Sequence, residues 1–105
     1  MIANTPAPPY YAVIFTSLRT HVNDGYSDTA ARMEQLALQQ PGCLGYESAR
    51  EGVGITVSYW KDLDSIRQWK ANAEHMLAQK NGREKWYAHY KTRICLVERD
   101  YEFNP

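Results

Sequence analysis

Between Pro41 and Trp60 the chain reads PGCLGYESAREGVGITVSYW. Pro41-Gly42 ends whatever helix precedes it, because proline cannot continue one and glycine admits the turn that follows. Cys43–Ala49 and Gly54–Trp60 suit a pleated surface, and the short Arg50-Glu51-Gly52-Val53 connection suits a tight reversal. The stretch is therefore an expected β-hairpin, the second and third strands of the fold.

Upstream, Tyr26, Ala30, Met33, Leu36 and Ala37 recur at the spacing of one helix face, which predicts a helix from Asp24 or Ser27 to Gln40. Before it, Tyr10–Leu18 (YYAVIFTSL) predicts a first strand. Residues 1–9 carry three of the five prolines, Pro6, Pro8 and Pro9, and form an extended lead-in to a single domain over 10–105. Downstream, Asp62 is placed to cap a second helix whose apolar stripe is Ile66, Trp69, Ala73, Met76 and Leu77. Asn81-Gly82 is expected to break that helix, Arg83–His89 to add a further turn, and Lys91–Phe103 to form a long last strand.

The order is βαββαβ, the α+β, ferredoxin-like arrangement in which a four-stranded antiparallel sheet carries its helices on one face. The first and third strands are apolar on both alternating sets of positions, with Val13 and Phe15 set against Ala12, Ile14 and Leu18. The bare face is thus expected to stack on a second copy, giving a homodimer in the form of a dimeric α+β barrel, with LVERDYEFNP at the C-terminus long enough to reach the partner.

The 105 residues hold twelve basic and twelve acidic side chains, a net charge of zero. That balance argues against a nucleic-acid partner and against a polybasic membrane anchor. No membrane span or leader pattern is read in the sequence, and a cytoplasmic location is expected. Cys43 and Cys95 lie in strand-like segments without metal or redox spacing and read as buried thiols, with a disulfide or redox pair as the alternative.

Trp60 to Tyr90 gathers all three tryptophans with His75 and His89, two of the three histidines. Indole plates with a proton carrier nearby suit a pocket for a flat apolar guest. Trp69 and His75 are the pocket candidates, while Trp60 and Trp86 fall where rings seal the edge of a core. No phosphate loop, dinucleotide fingerprint, nucleophile elbow or zinc-ligand pattern occurs, so neither a cofactor nor a metal is expected.

From Tyr11 to Phe103 the chain resembles the antibiotic biosynthesis monooxygenase family of dimeric α+β barrels. The resemblance is carried by PGCLGYE at 41–47, Ser58-Tyr59-Trp60, Trp69-Lys70-Ala71, Ala73-Glu74-His75 and Val97-Glu98-Arg99. It implies a small stand-alone member of a family that includes cofactor-free oxygenases of aromatic compounds and haem-degrading oxygenases. The haem-degrading members pair a first-strand Asn with a His about ten residues beyond a helical Trp. Here the first strand has no Asn, and Gln79 occupies the second position. The expected function is therefore cofactor-independent oxygenation of a small aromatic, a phenol or hydroquinone, in a pocket between sheet and helices. His75 is the expected catalytic base, whose ordinary pKa of about 6.5 lets it take a proton near neutrality. Trp69, Tyr46, Tyr59 and Tyr87 are expected to bind substrate, and Arg67 to stabilise a phenolate. The rival reading is a dimer that binds a small ligand, or serves in a stress response, without turnover.

Overall fold

The computed structural model describes residues 1–105. Gly52 makes the reversal of the central hairpin with a φ of 77°, a left-handed conformation free of Cβ clash only for glycine. Because the turn is this tight, the strands it joins run longer than their sequence pattern, as β2 (Cys43–Glu51) and β3 (Val53–Trp60). At the other end of β2, Gly42 has a φ of 85°, and a Cβ there would stand 2.8 Å from that of Ser65.

The first strand, β1 (Tyr10–Arg19), lies at the centre of the sheet, antiparallel to β3 and to the last strand, β4 (Tyr87–Val97). The strand order is β2-β3-β1-β4, the antiparallel α+β, ferredoxin-like arrangement expected from the element order. β4 starts at Tyr87 rather than Lys91 and ends at Val97 rather than Phe103. Its last pair is Tyr10 with Val97, and the residues before Tyr10 are Pro8-Pro9, which offer no N–H to extend the ladder. Residues 98–105 accordingly carry no regular structure, and Tyr101 and Phe103 stand exposed.

The first helix, α1 (Tyr26–Leu38), forms where the apolar spacing placed it. The second departs from expectation. It divides into α2 (Leu63–Lys70) and α3 (Ala73–Asn81), with the break at Ala71-Asn72 and not at Asn81-Gly82. Asp62 caps α2 through the Ser65 N–H at 2.8 Å. Asn72 caps α3 through the His75 N–H at 3.2 Å, so the second cap is what makes a new helix start there. At Asn81-Gly82 both residues are helical, and the chain continues through a π-helical turn, Gly82–Trp86. The re-aimed α3 leaves Met76 and Leu77 exposed instead of extending the apolar stripe.

Helices cover one face of the sheet. Ala37, Trp60, Ile66 and Trp69 form the buried core there, with Val13, Met33, Leu36 and Tyr46 packed against it. Trp60 is fully enclosed, and its Nε1–H donates to the Ser58 hydroxyl at 2.8 Å. The lead-in crosses part of the opposite face: the Ala3 N–H and the Tyr59 hydroxyl both donate to Glu47, at 2.8 and 2.6 Å, and the Tyr10 hydroxyl donates to Asp100 at 2.5 Å. No helix is long and apolar enough to cross a membrane.

Candidate active site

A cavity of about 380 Å³ opens between the sheet and the helices. Its floor follows strand alternation: Val13 and Phe15 from β1, Thr56 and Ser58 from β3, Thr92 and Ile94 from β4. Such a volume falls at the lower end of pockets that enclose small organic molecules, roughly 300–1,000 Å³.

The helix break builds the chemical end of this cavity. An α-helix leaves its last carbonyls without intrahelical partners. The Trp69 carbonyl, in the last turn of α2, accepts the Asn72 N–H at 3.1 Å and the His75 Nδ1–H at 3.0 Å. A carbonyl can only accept, so this contact fixes the proton on Nδ1 and leaves the Nε2 lone pair available. The imidazole also lies flat on the Trp69 indole, with ring centres 4.0 Å apart and planes 10° apart, and Trp69 in turn stacks on Trp60 at 6.3 Å. Burial lowers the pKa of His75 below its ordinary value; the charge of Lys70 adds to this, and the bond to Trp69 opposes it. The neutral, basic form is thus the resting state at pH 7.

The opposite end is a cluster of phenols. Tyr87 packs edge-on against Phe15 at 5.3 Å and Tyr26 at 5.9 Å, and its hydroxyl lies 3.4 Å from that of Tyr26. The π-helical turn sets this geometry, bringing buried Gly82 under the Tyr87 ring, where a Cβ would approach within 2.9 Å. Burial raises the pKa of Tyr87, and pushes that of Tyr46 up to about 12 with help from the charge of Glu34. Both therefore stay protonated near neutrality and can donate hydrogen bonds to a guest oxygen.

The structure thus gathers His75, Trp69, Tyr46 and Tyr87 around one cavity and sets Tyr59 and Arg67 apart from it. Tyr59 projects from the alternate positions of β3 to the other sheet face, where it is held by Glu47. Arg67 is exposed and paired with Asp64 at 3.3 Å. Ile66, Trp69 and Lys70, at helical spacings of three and four, turn to the cavity, and position 67 turns away. Tyr26, Tyr90, Thr56 and Lys70 line the cavity without having been singled out from the sequence. The period-two pattern of the strands contained the signal for Thr56 and Tyr90.

A family model described as antibiotic biosynthesis monooxygenase matches residues 9–81. The chain belongs to the antibiotic biosynthesis monooxygenase family. An uncharacterized protein of Bacillus subtilis (strain 168), YqjZ, is 49% identical to it over 104 residues, covering 97% of this chain and 91% of that one. Among solved structures, SnoaB, a cofactor-independent oxygenase from Streptomyces nogalater, superposes with a TM-score of 0.70 at 14% identity, over 93% of this chain and 100% of SnoaB. The protein SO0527 from Shewanella oneidensis gives a TM-score of 0.77 at 10% identity, over 94% and 98% of the two chains. At these identities the structural likeness establishes the fold shared by the monooxygenase family and leaves the chemistry to the site.

Proposed function

We propose that this chain is a cofactor-independent monooxygenase of a small phenol or hydroquinone, with His75 as the base. The observation that carries the reading is the imidazole whose Nδ1–H is tied to the Trp69 carbonyl, which leaves a free Nε2 lone pair at an aromatic cavity. Nε2 takes the phenolic proton, and the electron-rich phenolate passes one electron to dioxygen. The phenoxyl radical and superoxide then combine in a C–O bond, and the resulting hydroperoxide loses water to leave a quinone. One phenol and one dioxygen become one quinone and one water, so the substrate supplies every electron. Trp69 provides the plate, while Tyr46 and Tyr87 orient oxygens and keep the intermediates from bulk water. Membership of the monooxygenase family and the likeness to SnoaB, itself named a cofactor-independent oxygenase, support this assignment.

Oxygen uptake by the purified, metal-free and flavin-free protein across a panel of hydroquinones tests it. Uptake with one quinone formed per dioxygen is expected. Uptake only after a flavin or metal is added overturns the assignment, and so does tight binding without uptake, which supports the ligand-binding alternative.

The active form in this proposal is a homodimer through the sheet face opposite the helices, which the lead-in covers only in part. Only 12 of the 105 residues are buried in the single chain, and Leu18, Val53 and Ile55 of that face stand exposed. Glu47 and Glu51 mark one edge of the face, and Lys91 and Arg93 the other. A two-fold axis parallel to the strands would lay the acidic edge of each copy over the basic edge of its partner. Sedimentation at micromolar concentration is expected to give a dimer mass; a single 12.1 kDa species would remove this part of the proposal. Cys43 and Cys95, both free, support a cytoplasmic setting.

A further inference from the structure

The cavity is lined by 20 residues, and no Asp or Glu is among them. Its one permanently charged lining side chain is Lys70. The neighbouring charges are committed elsewhere. Glu74, next to His75, is held by both Nε and Nη2 of Arg32 at 2.9 Å, and Arg67 pairs with Asp64. The Arg19 guanidinium lies 3.3 Å from the centre of the Tyr26 ring and donates to the Trp86 and Val22 carbonyls, while that of Arg50 is bound to Ser17. Lys70 differs from all of these. Its main-chain carbonyl accepts from the Gln79 side chain at 3.0 Å, but its ammonium has no protein partner.

Lys70 is exposed to solvent yet lines the cavity, and its charge acts on the neutral imidazole of His75. With no carboxylate in the lining, that end of a largely apolar and aromatic cavity carries surplus positive charge. We infer that the cavity binds its aromatic guest as the anion, and that Lys70 is the residue that selects this charge state. The inference rests on the aromatic-guest reading above and takes over the role first assigned to Arg67. The titratable side chains lining the cavity are Lys70 and His75, with the phenols of Tyr26, Tyr46, Tyr87 and Tyr90, and Glu34 acts on Tyr46. When His75 Nε2 accepts the guest proton, imidazolium and ammonium stand side by side, and the phenolate between them relieves their repulsion. The same arrangement makes the phenol more acidic in the site than in water, against the opposing effect of desolvation.

The test uses two probes of nearly the same shape: 4-nitrophenol, whose ionised form is coloured, and 4-nitroanisole, which cannot ionise. Each is titrated into the full chain, with binding followed by tryptophan quenching and ionisation by absorbance. The phenolate is expected to bind at least about tenfold more tightly than the anisole, and the phenol pKa is expected to fall on binding. Lys70→Met is expected to erase the preference and leave anisole affinity unchanged, while Lys70→Arg retains it. A bound phenol pKa equal to or above that in buffer, or a preference that survives in Lys70→Met, overturns the inference and leaves the aromatic pocket standing. Failure of both probes to bind overturns the pocket reading and this inference with it.

Discussion

Replacing His75 by Ala is expected to lower the rate of oxygen uptake about 10²- to 10⁴-fold, the usual contribution of a positioned general base. The fold should be little affected, because the side chain is half-buried and its hydrogen bond is to a carbonyl already bound by Asn72. The pH profile carries a second signature. Burial lowers the pKa of His75 from its ordinary value, so the base is lost only as pH falls through that depressed value. The midpoint of the acid limb should therefore lie below the pH of about 6.5 at which an ordinary imidazole titrates. In His75→Ala this acid limb should vanish with the residue. A variant that keeps wild-type uptake, or the same acid limb, would remove His75 as the base.

Trp60→Ala is expected to destabilise the protein by about 3–5 kcal/mol, the range for emptying a fully buried large aromatic. Trp60 has no exposed surface, joins the hairpin to α2 through Ile66 and Trp69, and is the hydrogen-bond donor to the buried Ser58 hydroxyl. Truncation leaves both a cavity and a polar group without its donor. Against a total stability of roughly 5–15 kcal/mol, the loss would bring the chain close to unfolding at 37 °C. Denaturant titration should show a lower midpoint with an unchanged slope. A loss under about 1 kcal/mol would mean that the core is not organised around this ring.

The parts of the fold that were legible in the sequence are those specified by local chemistry. The hairpin follows from Gly52, the end of α1 from Pro41-Gly42, and the start of α2 from the Asp62 cap. The break at Ala71-Asn72 was hidden because Ala73, Met76 and Leu77 continue an apolar spacing by accident, while the cap that decides the matter is a single Asn. The site was half legible for the same reason. Trp69 and His75 are six residues apart, a spacing that puts them on different faces of one continuous helix, and only the break lets their rings stack. Tyr59 was misassigned because a tyrosine at the end of a strand looks alike on either face until the register is known, and Val13 opposite Ser58 fixes that register.

The group that fixes the His75 tautomer is a main-chain carbonyl, so no substitution at position 69 can delete it. Side chains there can change the width and flatness of the cavity wall while the proton stays on Nδ1. The tautomer of the base and the shape of the pocket are therefore separable in evolution and in engineering: a new side chain at position 69 redraws the wall and the stacking on the imidazole without moving the proton.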